Sequence, residues 1–332
     1  MNFRNRFHFY TLVLAFAIIP PQSHADLLIY HFDVETGDST LIMDTVSRRS
    51  LLVDAGDRGY GRNILVPELK KLGLNQINYF LATHYDADHI GGFHELIDEG
   101  ILFTEAVFDR GGVTSRTETT AKGNKTEYGT YIEYASSLRT TLRPGCDKTI
   151  DLGPDISVMV VAGAGEFLKE TKPSCVLDSI SIPKNKDNDL SIALVISIGN
   201  FSYFIGGDLT GGGNGTKKME PLVARAVGDI DVLKVNHHGS ETSSNEDFLR
   251  FLLPEVAVIS IGNGGRNLKY RLPRQSILDR LSDLESDPTV FLTNSGEGGR
   301  LSDSYVEDRH IIVFSDGESY HVNGIIYSAN DN

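Results

Sequence analysis

Thr83-His84-Tyr85-Asp86-Ala87-Asp88-His89-Ile90-Gly91-Gly92 is the most informative stretch of this chain. Four side chains of metal-ligand type, His84, Asp86, Asp88 and His89, fall within six positions. They follow directly on Ile77-Asn78-Tyr79-Phe80-Leu81-Ala82-Thr83, whose apolar and aromatic make-up predicts a buried strand. Imidazole and carboxylate both bind divalent transition ions, carboxylate being the harder donor. At this spacing on a loop the side chains can point alternately, so His84 and Asp86 suit one ion and Asp88 and His89 a second. Gly91 and Gly92 let the backbone turn into a helix. The bland alternative, an N-capping Asp beside surface histidines, is disfavoured because charged groups at the end of a buried strand need partners.

Outward from this segment, two others end strands in the same way. Phe204-Ile205-Gly206-Gly207-Asp208 places a carboxylate just beyond one apolar run. Leu233-Lys234-Val235-Asn236-His237-His238-Gly239-Ser240 places paired histidines beyond another. Ligands at the carboxyl ends of several strands can converge on one rim of a sheet, where α/β folds bind their substrates. Further strands are predicted at 27–32, 39–43, 50–53, 191–198, 201–205, 230–235, 256–261, 290–292 and 311–314. Helical apolar spacing marks 63–72, 130–138 and 276–284. Residues 104–150 and 163–189 are polar, read as loop-rich surface insertions, and hold both cysteines, Cys146 and Cys175. No linker divides the rest. The expectation is one α/β domain with two sheets and outer helices.

Composition sets the remaining bounds. The 332 residues include 45 acidic and 31 basic side chains, a formal net charge of -14. That argues against a general nucleic-acid coat, which calls for a basic surface. Two cysteines cannot make a four-thiolate zinc site. Residues 1–25 read as a secretory signal peptide: Arg4 and Arg6, then an apolar run from Phe9 to Ile19, then Ser23-His24-Ala25. Cleavage there leaves 26–332 as the mature domain, removes two arginines and takes the charge from -14 to -16. The expected product is exported, periplasmic or secreted, with no stable membrane insertion after cleavage. In an oxidising compartment Cys146 and Cys175 form either a disulfide or two buried thiols, and sequence does not decide between them.

With these motifs assembled, the chain resembles the metallo-β-lactamase superfamily, whose signature has the form His-x-[His/Asp]-x-Asp-His. Within it the chain is most similar to the extracytoplasmic domain of the ComEC/Rec2 DNA-uptake proteins. Phe32-Asp33-Val34-Glu35-Thr36-Gly37-Asp38-Ser39, Leu52-Val53-Asp54-Ala55-Gly56 and Asn188-Asp189-Leu190-Ser191 carry further matches. So do Gly207-Asp208 and His237-His238-Gly239-Ser240, with Ser243-Ser244 behind. The resemblance implies an αββα sandwich with a dinuclear site for Zn2+ or Mn2+. His84 and Asp86 would hold the first ion, Asp88 and His89 the second, and Asp208 would bridge. Which of His237 and His238 is a ligand stays open; the assignment carried forward makes His238 a ligand and His237 a proton donor. Asp38 and Asp54 would orient ligands from behind. Where the family carries Tyr-Gly-His-Pro, this chain has Tyr270-Arg271-Leu272-Pro273, so one late ligand is replaced by Leu272.

Such a pair of ions activates water and clamps the oxygens of an in-line displacement, with Asp88 orienting the water. Arg266, Lys269, Arg271, Arg274, Lys217 and Lys218 read either as a phosphate grip near the rim or as a solvated basic surface loop, and the resemblance favours the first. The expected activity is metal-dependent hydrolysis of phosphodiesters, with local nucleic-acid contact. Hydrolysis of lactams, lactones or phosphorylcholine esters, and a non-catalytic metal-binding accessory role, are the alternatives.

Overall fold

The computed structural model describes residues 26–35, 37–112, 114–171, 174–263, 269–302, 304–307 and 309–329. The signal-peptide reading of 1–25 and the phosphate-gripping role of Arg266 lie outside the described residues.

Strands β1 (Leu27–His31), β2 (Thr40–Asp44), β3 (Ser50–Val53), β4 (Gln76–Leu81), β5 (Leu102–Asp109) and β6 (Arg139–Thr141) run in chain order across a first sheet. A second sheet takes β7 (Ile156–Gly163), β8 (Glu166–Glu170), β9 (Val176–Ser179), β10 (Ala193–Ile198) and β11 (Phe201–Ile205). After a small hairpin of β12 (Gly211–Gly213) and β13 (Thr216–Lys218), it adds β14 (Val232–Lys234), β15 (Val256–Ile259), β16 (Thr289–Leu292) and β17 (Tyr305–Val306). The chain then returns to the first sheet with β18 (Ile311–Ser315), β19 (Ser319–Val322) and β20 (Ile325–Ser328), β18 pairing antiparallel with β1.

The apolar residues divide into three layers. Ile29, Ile42 and Leu81 of the first sheet meet Leu194, Ile196 and Tyr203 of the second in a central core. On the outer face of the first sheet, Leu41 and Phe80 pack against Leu69, Phe93 and Tyr131. These come from helices α1 (Val66–Lys71), α3 (Phe93–Asp98) and α4 (Glu127–Ala135), the short α2 (Ala87–Ile90) preceding α3. On the outer face of the second, Phe204 and Leu233 pack against Val223, Phe248 and Ile277. Those belong to α5 (Glu220–Val227), α6 (Glu246–Leu252) and α7 (Gln275–Ser282). The result is the αββα sandwich that the resemblance implied. Burial on both faces explains why β2, β10 and β11 read as continuous apolar runs rather than alternating ones.

Three features depart from the sequence reading. The stretch 163–189 carries β8 and β9, which extend the second sheet. Residues 102–109 form β5 inside the first sheet, so the polar excursion begins beyond Asp109. The β19–β20 hairpin was not anticipated, because its half-exposed alternation and short polar strands give little apolar signal. Cys146 and Cys175 are joined, with Cα atoms 6.1 Å apart.

Parallel pairing sets the position of the site. β3 runs parallel to β4, and β11 to β14 and β14 to β15, so these strands end on common rims. Beyond their carboxyl ends lie Asp54, the 84–89 loop, Asp208, the 237–238 turn and Ser260.

Candidate metal centre

Asp54, immediately after β3, organises the first group of ligands. Its Oδ1 accepts from the Thr83 backbone N–H at 2.8 Å and its Oδ2 from the Thr83 hydroxyl at 2.7 Å. The same Oδ2 lies 2.7 Å from His89 Nδ1. With its proton given to Asp54, the Thr83 hydroxyl oxygen faces His84 Nδ1 at 3.1 Å as an acceptor. Both imidazoles therefore present Nδ1 to a fixed acceptor and turn Nε2 the other way, the arrangement that orients metal-binding histidines. Asp86 precedes α2 in extended conformation and its side chain makes no capping bond there, so the capping alternative fails.

Asp208 arrives from the second sheet. Gly207, at φ +53°, makes the approach possible: a Cβ there would lie 2.4 Å from Thr83 Oγ1. Beyond β14, His237 and His238 adopt φ +50° and +53°, a left-handed conformation that costs on the order of 1–3 kcal/mol per non-glycine residue. The turn is tied down by the Ser243 hydroxyl, 2.8 Å from the Asn236 carbonyl. His238 Nδ1 faces the Ser260 carbonyl at 3.2 Å and so must donate, leaving Nε2 bare. His237 Nδ1 faces Thr242 Oγ1 at 3.0 Å.

The four imidazoles divide between the two oxygens of Asp208. His89 Nε2 and His238 Nε2 lie 3.3 and 3.5 Å from Oδ1. His84 Nε2 and His237 Nε2 lie 3.6 and 3.5 Å from Oδ2. Asn188 joins the second pair, its Nδ2 3.0 Å from Oδ2 and 3.2 Å from His237 Nε2. Nε2 of His84, His89 and His238, with Asp208 Oδ1, are buried without a hydrogen-bond partner. Unpartnered buried donors and acceptors are costly, and nitrogen and oxygen atoms converging this way fit divalent cations. Burial alone would raise the Asp208 carboxyl, but His237, His89 and His238 hold it well below its usual range. Burial likewise opposes charge on His89, yet Asp208 and Asp54 raise it well above the ordinary imidazole value.

The remaining residues take other places. Asp86 pairs with the Arg116 guanidinium, which also reaches Asp187 Oδ2 at 3.1 Å. Buried Arg110 holds the other oxygen of Asp187 and lies over the Tyr85 ring, 4.4 Å from its centroid. Asp86 and Asp88 line a groove of about 690 Å3. Asp38, expected behind the ligands, instead comes within the cluster: it, His89, Asp208 and His238 each offer a ligand atom, all within 4.8 Å of one another. Its Oδ2 accepts from Lys234 Nζ at 2.9 Å.

Lys234, Arg116 and Glu220 were not singled out in the sequence. Lys234 had a signal, a lysine inside the apolar run 232–235, where an unpaired charge is not tolerated. Of the basic side chains expected at the rim, Lys269 and Arg274 line the groove, joined by Lys186. Lys217 and Lys218 sit exposed on β13, and Arg271 is exposed; none of the three is among the lining residues. Leu272 is buried in the outer apolar layer and forms part of the groove wall.

Residues 33–102 match the family model described as Metallo-beta-lactamase superfamily. It is 25% identical over 287 residues to ComE operon protein 3 of Bacillus subtilis, an alignment covering 81% of this chain and 32% of that protein. It is 31% identical over 134 residues to Recombination protein 2 of Haemophilus influenzae, covering 40% and 15%. Competence protein ComA of Neisseria gonorrhoeae matches at 25% over 266 residues, 79% and 30%. The chain thus spans about a third or less of these relatives' own length. Among solved structures, a diphosphatase of the PhnP family superposes with TM-score 0.42 at 11% identity, covering 87% of this chain and 98% of that one. CmlA, a diiron β-hydroxylase from Streptomyces venezuelae, does so with TM-score 0.42 at 14% identity, covering 85% and 54%.

Proposed function

We propose that this metallo-β-lactamase domain is an exported hydrolase that holds two divalent ions, zinc or manganese, and cleaves phosphodiesters, nucleic acid among them. The observation that carries the reading is the buried carboxylate of Asp208, each oxygen faced by a pair of imidazoles from separate loops. In this reading His84 and Asp86 hold the first ion, Asp88, His89 and His238 the second, and Asp208 both. When bound, such a pair supplies Lewis acidity and acidified water.

The protein's own groups do the rest. Asp88 faces the groove and orients the attacking water by accepting its proton. His237 keeps a quarter of its side chain exposed and is positioned by Thr242 and Asn188; this reading makes it the proton donor to the departing alkoxide. Lys186, Lys269 and Arg274 on the groove wall attract a phosphate locally in a chain whose net charge of -14 repels polyanions elsewhere. The relatives named for recombination and competence support a nucleic-acid substrate. The Cys146–Cys175 disulfide supports an oxidising compartment.

One observation favours a metal-binding accessory role instead: Leu272 stands buried in the groove wall where the family signature has a histidine. Metal analysis coupled to a phosphodiesterase assay decides between them. Two ions per chain with cleavage of a chromogenic phosphodiester or single-stranded DNA are expected. Asp88→Ala should lower the rate at least about 100-fold. Wild-type metal loading with no turnover on a panel of phosphodiesters, lactones, lactams and phosphorylcholine esters would leave the accessory role.

A further inference from the structure

We infer that Asp38, in place of Asp88, is itself a ligand of the second ion and closes a buried four-donor cage with His89, Asp208 and His238, leaving Asp88 to orient the water. The neighbouring position beside His84 and Asp86 then stays open to the groove. This rests on the metal-binding reading and adds an asymmetry: one ion locked in the fold, the other exchangeable and next to substrate.

Three observations carry it. One ligand atom from each of the four residues lies within 4.8 Å of the others. Donors about 2.0–2.2 Å from a tetrahedral ion stand about 3.3–3.6 Å apart, so the cage closes by roughly 1 Å at most of its edges when an ion enters. Asp38 Oδ1, His89 Nε2, Asp208 Oδ1 and His238 Nε2 are all buried with no hydrogen-bond partner, and the four residues are 3%, 0%, 3% and 5% exposed. Each residue is also held from its far side. Lys234 takes Asp38 Oδ2, Asp54 takes His89 Nδ1, the Ser260 carbonyl takes His238 Nδ1, and Asn188 takes Asp208 Oδ2. Such outer partners orient ligands and fix the histidine tautomer.

The loop bearing Asp38 is built to this depth. Asp38 N–H donates to the Asp88 carbonyl at 3.2 Å, and a Cβ on Gly37, at φ +101°, would lie 1.9 Å from that oxygen. Lys234, 1% exposed, leaves Asp38 a single coordinating oxygen, as a four-coordinate site requires. On the other side of Asp208, Oδ2 faces His84 and His237 toward the groove. A site with an open position belongs there.

The test is ion stoichiometry under chelation. Wild-type protein should carry two ions, one removed readily by chelator and one slowly. Asp38→Asn should lose the slow ion and keep the fast one. Because that variant strands a buried ammonium, Asp38→Asn with Lys234→Met is made alongside it, and should also hold one ion. Lys234→Met alone should retain two. Anomalous diffraction from wild-type crystals grown with zinc should place one ion about 2.0–2.2 Å from an Asp38 oxygen, a result that needs no variant to fold. Two ions in the double variant at wild-type affinity, or both zinc positions beyond coordination distance of Asp38, overturn the inference and leave the hydrolase reading standing. A wild-type chain that binds no ion overturns both.

Discussion

Glu220 lies fully buried beneath the His237–His238 turn. Its oxygens accept from Asn236 Nδ2 at 2.8 Å and from the Ser244 and Asn245 backbone N–H groups at 2.7 Å each. Burial nonetheless dominates and raises its carboxyl from 4.5 to about 7. Between those values the folded chain keeps a proton that the unfolded chain has lost. Its contribution to stability is therefore fully present below about pH 4.5 and lost as pH rises through about 7, on the order of 3 kcal/mol by linkage. Urea unfolding at pH 5 and pH 8 should show that decline, and Glu220→Gln should flatten it. An unchanged slope in the variant would assign the pH dependence elsewhere. Asp38 is the opposite case: burial would raise it, but Lys234 and the neighbouring imidazoles bring it down to about 2. Two buried carboxyls thus titrate in opposite directions because one has cationic neighbours and the other mainly neutral donors.

Asp38 sits on a loop and Glu220 opens α5, and the two polar excursions are joined to each other covalently. Cys146 lies between β6 and β7, Cys175 between β8 and β9, so their bond staples one excursion to the hairpin at the edge of the second sheet. Closing a loop across 29 positions stabilises by roughly 3–4 kcal/mol in the chain-entropy model. Reduction, or Cys146→Ser with Cys175→Ser, should lower unfolding stability by up to about that amount while metal stoichiometry stays at the wild-type value. Loss of ions on reduction would mean that the staple also shapes the metal centre. Arg116 joins the first excursion to the ligand loop through Asp86 and Asp187, beside the contacts of Arg110, Tyr128 and Arg139 with Tyr85. The polarity of residues 104–150 marked an insertion, but no local pattern announced that arginine's partner.

Over the whole molecule, acidic residues outnumber basic ones by 14, and the cations on the groove wall are few. If Lys186, Lys269 and Arg274 each neutralise one phosphate of a single strand, the logarithm of affinity should fall with the logarithm of salt at a slope of about -2. Fluorescence anisotropy of a labelled oligonucleotide across salt concentrations measures it, and a slope near zero would remove the groove as a phosphate track. The layered architecture, the ends of the central strands and the candidate ligands at 84–89, 208 and 237–238 could all be read along the chain. Strand periodicity, turn residues and clustered imidazole and carboxylate are local properties, expressed over a few positions. The partners of those ligands could not be read in this way. Asp38 and Lys234 are 196 positions apart, Asp54 and His89 are 35 apart, and the disulfide joins two stretches with no shared pattern. Such pairings depend on which strand ends share a rim once two sheets have packed face to face. Burial then makes each pairing obligatory, because a charge or donor left alone in that interior would cost more than the contact contributes.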